Sequence, residues 1–268
     1  MSGRRSLPGR IADRIALRRG ALHERRLAED HLRRAGRPEL DAWFVERHGS
    51  SVLHGPLAGL SYPPAVLADV HHLTAKLLGA YEEELSAVIA AEVERRPPLF
   101  VDIGSADGYY AAGFALASPG TVVHAFEIDP VARGVLDRLV RTNGLAARVF
   151  MHGPANARRL AEHDLAGAFV LCDIEGAELD VLAGEAVPAL AHATLLVEVH
   201  PLAGGADTAP ALRERFGPTH RIEAIEPRER DPAAQPELDG APHRDSALDE
   251  YRFGRTSWLA MHPRTLPH

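Results

Sequence analysis

From Pro97 onward the chain alternates two kinds of segment, and that alternation limits the fold more than any other feature. Apolar runs at 99–103, 121–126, 147–151, 168–172 and 194–199 are separated by helix-like segments at 109–117, 130–142, 175–187 and 208–216. Strands that take turns with helices build a parallel sheet joined by right-handed crossovers. A last strand is expected from "SWLAMHP", Ser257 to Pro263, after a loop rich in Pro, Asp, Glu and Arg at 227–247. Before the sheet, residues 9–48 read as helices broken near Gly36-Arg37-Pro38, and residues 65–95 as helical again. The segment between them, His54 to Pro64, is rich in turn residues. The expected division is a helical extension or lid over residues 1–95 and a ligand-binding α/β domain over 96–268.

Composition narrows the class. With 268 residues and 46% hydrophobic content, the core needs no staple. Cys172 is the only cysteine, so an internal disulfide and a cysteine-based zinc cluster are both excluded. No apolar run approaches the roughly 20 residues of a membrane span, and a cytoplasmic enzyme is the expectation. Charge is uneven: residues 1–37 hold 11 Arg against 4 acids, while the whole chain carries −7. The arm reads best as an amphipathic helix, with Ile11, Ile15 and Leu22 on one face. Beside so acidic a body, residues 1–50 are expected to cover the acceptor site rather than to bind nucleic acid.

Ligands of open parallel sheets sit beyond the carboxyl ends of the strands. The first such end is "LFVDIGSADGYY": a strand, then Asp102, Gly104, Ser105, Ala106, Asp107 and Gly108, then a helix. Gly104 permits a tight turn close to a ligand, and Gly108 opens the helix. Of the dinucleotide fingerprint G-x-G-x-x-G only Gly104 and Gly108 are present, four apart, and Lys76 is not in a phosphate-loop position. Asp102 and Asp107 would repel a pyrophosphate and attract a ligand bearing ammonium and sulfonium groups. S-adenosylmethionine is such a ligand. In "TVVHAFEIDP" the second strand ends in Glu127, whose carboxylate can accept both ribose hydroxyls, with Ile128 beside it. Asp129-Pro130 supplies the helix start, which leaves Glu127 for the ligand. The third strand, "ARVFMHG", leads to Asn156, placed to meet an adenine edge, and His152 reads as a turn residue.

The fourth strand runs "FVLCDIEGAELDVL". Buried strands do not normally end in acids, and Asp173 at the tip faces the same crevice as the first strand, where it is expected to contact the cofactor too. Glu175 and Glu178 fall where a helix dipole favours acids anyway. In "LLVEVHP" Glu198 and His200 share parity and point the same way. Asp173, Glu198 and His200 are therefore the catalytic candidates. They can take a proton from a substrate hydroxyl, or Asp173 and Glu198 can hold Mg²⁺ or Mn²⁺ to acidify it.

The strings "DIEGAELDVL" and "EVH", with "GPLAGLSYP" and "KLLGAYEEEL" ahead of the sheet, resemble the FkbM-type class I methyltransferases over about residues 54–263. The resemblance implies a Rossmann-like, doubly wound sheet of seven strands, mostly parallel with the last antiparallel. It also implies cofactor contacts at Asp102, Gly104, Gly108 and Glu127. Relatives of this type act mainly at oxygen on sugars or natural products.

Two nucleic-acid chemistries lack their residues. The fourth strand has no Asn/Asp-Pro-Pro-aromatic string for adenine, and Cys172 lies inside an apolar strand rather than in a Pro-Cys context. The expected partner is a small-molecule acceptor, with no nucleic acid and no membrane, and a homo-oligomer is left open. Nitrogen or carbon methylation, a nicotinamide oxidoreductase and a non-catalytic nucleotide-binding module remain the alternatives.

Overall fold

The structure, a computed structural model, describes residue 33 and residues 35–200, 208–250 and 257–264. Its centre is a seven-stranded sheet. The strands are β1 (Leu99–Ile103), β2 (Val122–Phe126), β3 (Val149–His152), β4 (Phe169–Cys172), β5 (Thr194–Glu198), β6 (His220–Ile225) and β7 (Trp258–Pro263). Their order across the sheet is β3-β2-β1-β4-β5-β7-β6. β1 to β5 pair in parallel, and β7 enters antiparallel between β5 and β6. The seven-stranded, mostly parallel Rossmann-like sheet with an antiparallel last strand is thus the fold.

Side-chain parity splits the core into two halves, because alternate residues of a strand face opposite sides. Phe100, Phe169, Leu171, Leu196 and Trp258 share one apolar cluster, while Val101, Val170, Cys172, Leu195 and Leu259 share another. The first cluster is covered by α1 (Arg37–His48), α2 (Leu73–Leu78) and α3 (Ser86–Arg95), with α4 (Tyr109–Ala117) and α5 (Pro130–Thr142). The second lies under the one-turn helices α6 (Ala157–Leu160) and α7 (Glu178–Val181), and under α8 (Ala209–Phe216). Leu40 and Phe44 of α1 are wholly buried and belong to the same cluster as Phe100.

The helical layer before the sheet is more broken than its periodicity suggests. Stretches of 3-10 helix at Pro64–Asp69 and Glu83–Leu85 interrupt it, and His72 and Glu82 adopt left-handed conformations. The Arg-rich residues 1–32 and the amphipathic helix expected there lie outside the described residues.

Candidate active site

The ends of β1, β2 and β4 are latched by backbone hydrogen bonds. Gly104 and Ser105 N–H both donate to Phe126 O, at 2.8 and 3.1 Å, and Asp173 N–H donates to Ile103 O at 2.9 Å. Gly104 has φ +91°, and a Cβ there would stand 1.8 Å from the Asp173 carbonyl oxygen. The glycine therefore lets the β1 turn touch the tip of β4. Ala106, where the dinucleotide fingerprint would have its second glycine, is held at φ +45°. Its N–H donates to Glu127 Oε2 at 2.8 Å.

Asp102 is the most unusual group at this turn. It is 1% exposed, and neither carboxylate oxygen has a hydrogen bond of ordinary geometry; the Ala111 backbone lends partial support. Burial, then the charge of Glu127, pushes its pKa up to about 8. The buried Ser105 hydroxyl is likewise unpaired. Orphaned buried polar atoms at a strand end are what a polar ligand would satisfy.

Lys76, the chain's only lysine, corrects the reading of an all-acidic turn. Although 31 residues away in sequence, its ammonium lies 2.5 Å from Asp107 Oδ2, with both side chains 5% exposed. It also sits 4.9 Å over the Tyr81 ring. Asp107 is therefore neutralised locally, and the negative charge left at the turn comes from Glu127 and from whatever fraction of Asp102 is ionised.

Two other expectations change. Glu127 is not wholly free, since its Oε1 accepts from Asp129 N–H at 2.7 Å and its Oε2 from Ala106. A carboxylate offers about four lone-pair sites, so two remain for a ligand. Asn156 uses its side-chain oxygen at the start of α6, accepting from Arg159 N–H at 3.1 Å. Asp129 caps α5 as expected, and Ile128 stays 47% exposed beside the turn.

Across the β1–β4 contact, the structure brings Asp173, Glu198 and His200 together and adds Glu175 and Glu178. His200 Nε2 lies 3.1 Å from Glu198, 3.5 Å from Asp173 and 3.7 Å from Glu175, while Nδ1 is 2.8 Å from Glu178 Oε1. Glu178 is fully buried, so its task is to hold His200 and the Gly176 N–H rather than to meet a helix dipole. Burial pulls the imidazole pKa down, but the hydrogen bonds to Glu178 and Glu198 and the nearby charges win, lifting it to about 12. A shift in that direction favours the imidazolium form, which holds a proton rather than accepting one.

Asp173 also shifts upwards, which for a carboxyl group favours the neutral form. Protein packs closely around it although its side chain keeps 33% exposure along the crevice. Burial, then the Glu198 charge and hydrogen bond, raise its pKa, with Glu82 adding to the rise and His200 opposing it. Glu82, missed from sequence, accepts a 2.5 Å hydrogen bond from the Tyr110 hydroxyl. Its only sequence signal is the "YEEEL" string after α2. Asp173, Glu175 and His200 also offer ligand atoms within 4.8 Å of one another.

No protein-family model matches the chain, and no curated protein matches it significantly. Solved structures do match. One is an rRNA methylase from Streptococcus thermophilus, with 10% identity, TM-score 0.47, and 68% of this chain and 97% of that one covered. Another is precorrin-6y C5,15-methyltransferase from Geobacter metallireducens, with 12% identity, TM-score 0.44, and 66% and 87% covered. A tRNA methyltransferase from B. subtilis matches at 13% identity and TM-score 0.41, over 66% and 65% of the two chains. Likenesses this distant add nothing to the strand order itself, and none of them singles out the FkbM type. The chain carries a seven-stranded, Rossmann-like fold.

Proposed function

We propose that this chain transfers a methyl group from S-adenosylmethionine to a hydroxyl group of a small-molecule acceptor in the cytoplasm. The observation that carries the reading is the pairing of two chemically different clusters across the Gly104–Asp173 contact. On one side is Asp102, buried beside Glu127, whose orphaned carboxyl group suits a cationic ligand. On the other is a raised-pKa aspartate next to a locked imidazolium.

The residues present fit the cofactor. Asp102, Gly104, Ser105, Ala106, Gly108 and the two free lone pairs of Glu127 would hold it, with Ile128 and the Asn156 loop towards the base. When bound, it supplies an electrophilic methyl group. Asp173 faces both clusters, and its raised pKa equips it to receive the acceptor's proton. Glu178 and Glu198 clamp His200 from both ring nitrogens, so the imidazolium orients Asp173 and the acceptor and does not take the proton itself. Cys172 takes no part, because burial drives its thiol pKa well above the usual range.

A second reading keeps a divalent ion at Asp173, Glu175 and His200, favoured by the mutual approach of their ligand atoms. It requires the imidazolium to surrender a proton first, and the base reading is therefore preferred. A nicotinamide enzyme is the weaker alternative, since Lys76 gives its charge to Asp107 rather than to a phosphate.

Calorimetric titration of the full chain with S-adenosylmethionine, its demethylated product and NAD tests the cofactor. Micromolar binding of the first two and none of NAD is expected; saturable NAD binding with no response to the sulfonium ligand sinks the proposal. Turnover that survives exhaustive EDTA treatment then separates the base from the metal.

A further inference from the structure

A second group of ring nitrogens takes no part in the chemistry above. His124 lies within β2, His152 ends β3, and His163 follows α6. Three separate stretches of chain therefore deliver one imidazole each to the same spot. His124 Nδ1 is 2.7 Å from His152 Nε2, and the two rings stack with centroids 5.0 Å apart. The His163 ring is 4.2 Å from that of His124 and 6.1 Å from that of His152. One nitrogen from each ring lies within 4.8 Å of the others. Phe126 and Phe150 stack on His152 and His124, which fixes the ring planes.

We propose that His124, His152 and His163 bind one divalent transition-metal ion of the zinc type, with three imidazole nitrogens as ligands and a fourth position open to solvent. A tetrahedral ion with Zn–N near 2.0–2.1 Å needs its nitrogens about 3.4 Å apart. Small ring rotations supply that separation, as the ion replaces the proton now shared by His124 and His152. An all-imidazole set selects zinc, copper or nickel and rejects magnesium and calcium, which require oxygen ligands. Each ring is partly buried, so it is shielded without being sealed from an entering ion. The rings are also ready as ligands. Burial first, then mutual repulsion, brings His124 down to about 4; burial likewise lowers His152 and His163. The charged neighbours are Arg159, which lowers His152, and Glu162, which opposes the shift at His152 and His163.

The ion would tie the edge strand β3 and the segment after α6 to β2. It would also stiffen the support of Glu127, whose N–H donates to His152 O at 3.2 Å.

The test uses the untagged full chain, stripped with chelator and titrated with Zn²⁺ against a chromophoric competitor at pH 7. One equivalent should bind, Mg²⁺ should not compete, and His163→Asn should weaken binding at least tenfold. Circular dichroism checks that the variant is folded. Because His163→Asn could still perturb the segment, Co²⁺ binding to the unmodified chain provides a second measurement. Intense visible bands of a tetrahedral, nitrogen-ligated ion are expected, and they should persist in Glu175→Gln. Absence of Zn²⁺ binding overturns the proposal, as do absent Co²⁺ bands. So does binding that Glu175→Gln removes and His163→Asn leaves untouched, since the ion would then belong to the Asp173 cluster.

Discussion

Lys76 Nζ lies 2.5 Å from Asp107 Oδ2 in an environment from which both side chains are nearly excluded from water. The pair joins the helical layer before the sheet to the glycine-rich turn. Removing one partner strands the other charge, at a cost of about 3–5 kcal/mol for a buried pair. Lys76→Met should therefore lower the urea midpoint sharply, and adding Asp107→Asn should recover much of the loss. A Lys76→Met variant as stable as the parent would show that the pair is not buried in solution.

Gly104→Ala should be damaging for two separate reasons. The residue sits at φ +91°, where a side chain costs about 1–3 kcal/mol, and its Cβ would overlap the Asp173 carbonyl oxygen. Thermal unfolding should show the loss in stability, and cofactor affinity should fall with it. Gly144, also at positive φ (+68°), has open space where a Cβ would stand, so Gly144→Ala should show the backbone cost alone.

Asp102 links folding to pH. Its folded pKa is raised from 3.8 to about 8, so the folded chain keeps a proton that the unfolded chain releases. That contribution is fully present below about pH 4 and is lost as pH rises through 8. Asp102→Asn should flatten the decline in stability between these limits, measured by unfolding at pH 5, 7 and 9. A cationic ligand beside Asp102 should expel the proton, so binding at pH 7 should release protons in calorimetry across buffers of different ionisation enthalpy. Binding with no proton release would place the cation elsewhere.

His200 has the same sign and a different window. Its folded pKa of about 12 exceeds the ordinary 6.5, so its contribution is full below pH 6.5 and disappears as pH rises through 12. Nitrogen NMR should report an imidazolium at pH 8, and Glu178→Gln should bring its titration to lower pH. A neutral ring at pH 8 in the parent chain would restore His200 as a candidate base.

Asp173→Asn should cut turnover by roughly 10²–10⁴, the usual contribution of a general base, while leaving cofactor affinity close to that of the parent. In the parent, the rate should rise with pH through the raised Asp173 pKa. Loss of cofactor binding in Asp173→Asn would make the residue a ligand for the cofactor before anything else.

Much of the sheet was legible because buried parallel strands read as unbroken apolar runs. β1, α4 and α5 fall on the expected residues, and β2, β4 and β5 within one or two. β6 was not legible: "HRIEAI" lies at the sheet edge, mixes exposed and half-buried positions, and has no continuous apolar run. The helix expected over 175–187 shrinks to Glu178–Val181, because Glu175 and Gly176 turn left-handed and delay its start. In the site, strand-end residues were found and their partners were not. Lys76 meets Asp107 only through tertiary packing, and Glu178 looks in sequence like any acid at a helix start. The Glu127 oxygen that accepts from Ala106 was hidden for the same reason, since the two meet only where the ends of β1 and β2 come together.

The place of β7 between β5 and β6 has a consequence for the order in which the molecule is made. As the chain leaves the ribosome, β1 to β5 can pair as each emerges, but β5 keeps an open edge while the next sixty or so residues are added. β6 is synthesised before the strand it must lie against. Glu198, which faces Trp258 across the β5–β7 ladder, thus gains its neighbour only after β7 has emerged. The crevice wall that holds His200 is consequently the last part of the sheet to be completed, and a pause before residue 258 exposes an apolar strand edge to other chains.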